Sequence, residues 1–198
     1  MQSTNRSLWN LTKAFGFLVI PVVFCFVASA ADKEPNMSNP QQQCRTSVQE
    51  FYTWYSNLAK NNSPKTKSPL EQAVVQKASC FSSSLLSQLK EDIKASSENP
   101  GEVVGLDFDP ILNSQDIATP YKVEEVAVKD AHYFAKVYGT LNGKKSTKPD
   151  VTPELVLSGG KWTFVNFHYD QDKPSTDLLE VLKQLRAERK SLKLQKKK

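Results

Sequence analysis

The sequence predicts an α+β domain in which N-terminal helices pack on an antiparallel sheet of about four strands, with a further helix at the C-terminus. Three observations carry this. In the first half of the chain apolar residues recur at spacings of three and four, the period of a helix face. In the second half they alternate between turn signals, as in strands. The strand-like segments also follow one another without intervening helices, which favours α+β over a parallel α/β sheet.

Residues 1–30 read as an export signal. Arg6 and Lys13 precede an apolar run from 14 to 27, and Ala28-Ser29-Ala30 offers small residues for cleavage after Ala30. The alternative, a retained anchor, needs about twenty apolar residues, and this run is shorter and holds Pro21. A lipid anchor on Cys25 is disfavoured because Phe24, not a small residue, precedes it. The expected location is periplasmic or secreted. Residues 31–43, with Pro35, Pro40 and Gln41 to Gln43, are too polar to form a core and are expected to be a disordered leader.

A single domain is expected over residues 44–182. From 44 to 60, Val48, Phe51, Tyr52, Tyr55 and Leu58 form one helix face, and Asn61 to Pro64 end it. A short helix from 70 to 77 and a third from 82 to 95 follow, the third with Leu85, Leu86, Leu89 and Ile93 inward and a serine cap. After a turn around Pro100-Gly101, residues 105–116 mix acids and bulky apolar side chains without a period, the mark of an ordered loop. Strands are expected over 121–129, 132–141, 152–158 and 161–169, with turns at Asp130-Ala131, Asn142-Gly143 and Gly159-Gly160. The last strand is apolar on both faces and should be central. A final helix begins near Asp177 and packs through Leu178, Leu182 and Leu185, whereas Arg189 and Lys193 are expected to stay out of the core.

Charge divides the chain unevenly. Residues 183–198 hold eight Lys and Arg against one acid, and residues 31–182 carry a net −4, within a whole-chain charge of +5. The basic tail suits contact with an anionic surface, or is simply a solvated helix end. Export argues against nucleic acid as a partner. Cys44 and Cys80 are the two cysteines left after cleavage, and an even pair in an oxidising compartment suggests a disulfide closing the helical hairpin.

Three segments resemble the exported bacterial proteins grouped as domain of unknown function 3828, which are similar to the nuclear-transport-factor-like α+β cone. They are the aromatic helix from Val48 to Tyr55, the acidic stretch from Leu106 to Asp116, and the hairpin from Gly159 to Val165. The resemblance implies a fold and a compartment but no activity. The basic extension after Leu185 departs from the family pattern.

No motif dictates a reaction, and no cofactor or metal is expected. Asp107, Asp109, Gln115 and Asp116 could ligate a hard cation, but their spacing fails the EF-hand template, so a structural role in the loop is preferred. His132 and His168 lack a third strong ligand or a nucleophile nearby in sequence. Tyr52, Tyr55, Tyr138, Trp162 and His168 are candidates to line a ligand cavity between helices and sheet, with core packing as the alternative for the aromatics. The function expected is a non-catalytic binding domain of the envelope, taking a small apolar ligand or a partner protein. Alternatives are a hydrolase or isomerase using a pocket carboxylate, an envelope inhibitor or immunity-type protein, and a surface tether acting through the tail.

Overall fold

The computed structural model describes residues 39–63, 66–99, 104–114, 118–169 and 177–195. The expected export segment lies outside them. The elements run α1 (Pro40–Lys60), α2 (Pro69–Gln76), a single 3-10 turn (Ala78–Cys80), α3 (Ser83–Glu98), β1 (Tyr121–Lys129), β2 (His132–Leu141), β3 (Lys144–Lys145), β4 (Thr152–Ser158), β5 (Lys161–His168) and α4 (Leu178–Gln195). This is an α+β fold in which helices precede and follow, along the chain, one antiparallel sheet of order β1-β2-β4-β5, β3 pairing with β2.

The helix starts follow local chemistry. Asn39 caps α1 by accepting from the Gln41 N–H, and Pro40 takes a first-turn position where no donor is needed. The leader expected to reach residue 43 therefore gives way to helix at Pro40. Its glutamine run is not idle: Gln41, Arg45 and Gln49 recur every four residues on one face and seal the open edge of β1. Gln41 Nε2 donates to Val126 O, Arg45 Nε to Val123 O and Gln49 Nε2 to Tyr121 O, each at 3.0 Å, while Gln49 Oε1 accepts from Val123 N at 2.9 Å. Over Tyr121 to Val126 these bonds occupy outward backbone groups that another strand would otherwise pair with.

Ser68 and Glu71 form a reciprocal capping box on α2, and Ser82 caps α3. Asp177 caps α4 by accepting from the Glu180 N–H at 3.0 Å. Behind these caps, α1 lays Val48, Phe51, Tyr52 and Tyr55 against Val123, Ala135, Val137, Leu155, Phe164 and Phe167 of the sheet. Phe51 is the hub, with ring centroids 4.7 Å from Phe164 and 5.8 Å from Phe81.

Two expectations are corrected here. β5 is an edge strand, not a central one. Its outer backbone is covered by Ser82 N, which donates to Phe164 O at 2.8 Å, and by a bridge from His168 to Asp177. It reads as apolar on both faces because the pairing with β4 slips between Glu154 and Leu155, so Phe164 and Phe167 both reach the core and stack at 5.3 Å. The second correction concerns sulfur. Cys44 and Cys80 are both free thiols, Cys44 fully buried. α2 spans eight residues, too few to carry the chain back along α1. Phe81, the neighbour of Cys80, meets α1 at Phe51, seven residues or about 10 Å of helix rise from Cys44. Burial pushes the Cys44 thiol up to about 12, so it behaves as a small apolar side chain.

Candidate functional site

A cleft of about 850 Å³ opens where the end of α1, the start of α2 and the end of α3 face the loop of residues 104–114. Its apolar surfaces come from Ala59, Leu70, Ile93, Leu106, Phe108, Pro110 and Leu112. Its polar groups are hydroxyls, acids and one amide: Ser63, Ser68, Ser96, Ser97 and Ser114 with Glu71, Asp92, Asp107, Asp109 and Asn62. No Lys, Arg or His belongs to its described lining.

The loop that forms one wall is fixed by polar contacts. Asp109 Oδ1 accepts from Ile111 N at 2.9 Å and Leu112 N at 3.0 Å, and its Oδ2 accepts from the Tyr55 hydroxyl at 2.7 Å. Tyr52 donates its hydroxyl to Ile111 O at 2.8 Å and Tyr169 to Pro110 O at 2.9 Å. Three tyrosine hydroxyls thus hold three consecutive residues of the loop. Asn113, in the left-handed region at φ 51°, returns its N–H to Asp109 O and its side-chain amide to Asp150 O. Residue 109 as a whole keeps some surface, but its carboxylate is withdrawn from water. That burial raises its pKa, against the lowering effect of the Tyr55, Leu112 and Ile111 donors. Tyr52, Tyr55 and Tyr169 are all pushed well above the usual phenol range, first by burial.

At its start the same loop is fastened to the helices. Asp92, 2% exposed, accepts from Leu106 N through Oδ2 at 2.9 Å and from Arg189 Nη1 through Oδ1 at 2.6 Å. Arg189 also donates to Val104 O at 2.9 Å. The expectation that Arg189 stays out of the interior is corrected: its side chain is 13% exposed, because an ion pair and a carbonyl replace its water. A Cβ on Gly105 would collide with Ser96 Oγ and the Asp92 carboxylate, so a side chain there would force those groups to shift.

The five ligand-binding candidates do not come together. Tyr52 and Tyr55 are fully buried with their hydroxyls occupied by the loop. Trp162 packs edge-on to Tyr133 at 4.6 Å, and Tyr138 lies under Lys145 Nζ at 4.4 Å. His168 Nε2 contacts Glu154 Oε2 at 2.8 Å, while His132 Nδ1 contacts Glu154 Oε1 at 2.5 Å. Glu154 is the partner that the sequence reading lacked for either histidine. Pairing of Phe134 with Glu154 and of Thr152 with His168 places the two imidazoles on opposite diagonals of that carboxylate, one on each oxygen. They tie three strands and do not converge on one point. Among the described residues no group of three or more His, Cys, Asp or Glu is placed to hold a metal ion. Of the acidic loop, Asp107 and Asp109 line the cleft, and Gln115 and Asp116 lie outside the described residues.

No family model matches the chain, and no curated protein does. It is similar to a chain in the crystal structure of the type VI native effector-immunity complex Tae3-Tai3 from Ralstonia pickettii. That similarity has 16% identity and a TM-score of 0.45, and covers 65% of this chain and 95% of that one. A similarity of this size transfers neither a function nor a site residue.

Proposed function

We propose that this chain is an exported, non-catalytic binding domain of the cell envelope. Its cleft between α1, α2, α3 and the 104–114 loop receives a segment of a partner protein that presents a lysine or arginine on an apolar stem. The observation that carries this reading is the pairing of an apolar floor with a rim of acids, hydroxyls and one amide that includes no basic side chain among its described residues. A long cationic side chain satisfies both surfaces at once, its methylenes on Leu70, Ile93 and Leu112 and its charge at Glu71. A small wholly apolar ligand fits less well, since it brings no countercharge to the acid-bearing rim.

The enzymatic alternative would use Asp109, a cleft carboxylate whose pKa is raised by burial. A general base must be free to take a proton from a substrate. Asp109 already accepts two backbone N–H groups and a tyrosine hydroxyl, all three from the protein's own fold. This supports a structural role for it.

The test is an NMR titration of the chain with n-butylammonium, the lysine side chain without its backbone, alongside n-butanol and butyrate. The ammonium should shift the amides of Ile93, Ser96, Leu106 and Leu112, with an affinity on the order of 1 mM for so small a probe. Butyrate should leave them in place. Equal responses to ammonium and carboxylate, or none to either, would remove the reading.

A further inference from the structure

We propose that α4 sets the shape of the cleft through Arg189, making this arginine a positioning residue for the cleft's ligand. The inference rests on the cleft being the binding site, and deepens that reading by naming what controls it.

The path is continuous and short. Arg189 grips Asp92 on α3 and Val104 at the head of the loop with the same nitrogen, at 2.6 and 2.9 Å. Asp92 passes the constraint on, since its other oxygen holds the Leu106 N–H at 2.9 Å. Asp92 and Leu106 both line the cleft, whereas Arg189 lies behind the wall, in the groove between α3 and α4. Withdrawing the guanidinium would leave a carboxylate that is 2% exposed without its countercharge. The remedy available to the protein is to admit water, which means parting Leu106 and Gly105 from α3. Arg186, one turn earlier, makes the contrasting contact: it pairs with Glu91 and Gln88 on the α3 surface and touches no loop atom in its described bonds. Two arginines on one helix thus have separable roles. Linkage then makes the effect mutual, so a ligand that orders the wall also favours α4 in its docked position.

The experiment is amide hydrogen exchange on the full chain, read residue by residue by NMR. Arg189→Met should speed exchange at Leu106 by about tenfold or more, with the amides of Val48 to Tyr55 and of β2 unchanged. It should also weaken n-butylammonium binding several-fold. Arg186→Met should leave both at the level of the unaltered chain. If Arg189→Met does not fold, Asp92→Asn serves instead, since it keeps an acceptor for Leu106 and removes the charge pair; the same local rise is expected. Unchanged protection at Leu106 overturns the proposal. So does a uniform rise at every amide, or an equal local effect from Arg186→Met. Exchange is read without any ligand, so loss of the probe response in the unaltered chain would strike the cleft reading alone.

Discussion

Neighbouring rings on the buried face of α1 hold the protein together by different means. Toward the sheet, Phe51 meets Phe81 and Phe164 in a dry aromatic cluster. Toward the loop, Tyr52 and Tyr55 of the same helix end in hydroxyls that fasten residues 109 and 111. Aromatic packing is graded: a shifted ring keeps part of its contact energy. The polar knot is closer to all-or-none, because each donor left without its acceptor bears its full desolvation cost. A helix can therefore supply bulk stability with one set of rings and fix the wall of a cleft with another.

Substitutions can break this comparison, beginning with the largest effect. Phe51→Ala should lower the urea-unfolding free energy by about 3 to 5 kcal/mol, the range for an aromatic cavity in a core. Asp109→Ala should cost about 2 to 3 kcal/mol, since it orphans Ile111 N, Leu112 N and the Tyr55 hydroxyl together. A loss below about 0.5 kcal/mol, as for a surface change, would show that the knot is decoration. Tyr169→Phe removes one hydroxyl from the same knot while keeping the ring on Phe108, and should cost about 1 kcal/mol.

Acidity sharpens the comparison further. Burial raises the Asp109 pKa above its ordinary value of 3.8, so the folded state binds this proton more tightly than the unfolded one. Its contribution to stability is fully present below that ordinary value and is lost as pH rises through the elevated one. The unaltered chain should therefore gain stability relative to Asp109→Asn as pH falls across that window. Urea midpoints measured against pH for both chains check this, and parallel curves would show that the carboxylate is not titrating there.

Much of the fold was legible because its signals are local. The 3-4 spacing from Val48 to Tyr55 and the turn signals that bound the four main strands survive whatever tertiary contacts are made. What escaped the sequence depends on partners distant in the chain. Glu154 meets His132 across 22 residues, and counting back from the Gly159-Gly160 turn would have misplaced it, because the slip in pairing beside Leu155 moves its partner from Val165 to Asn166. Arg189 looked like a solvated charge because Asp92 lies 97 residues away. The cysteine pairing failed on distance: composition gave an even number, but the length of α2 decides where Cys80 returns. The tyrosines carried a usable hint, since a buried phenol needs an acceptor. That acceptor was the acidic loop, and the acidic loop had itself been read as structural.

Asp109 fastens the cleft wall through Tyr55, Ile111 and Leu112. A double-mutant cycle of Tyr55→Phe and Asp109→Asn, followed by urea unfolding, measures this directly. The structure predicts a coupling energy of about 1 kcal/mol or more between the two positions. Strictly additive losses, within about 0.3 kcal/mol, would contradict it.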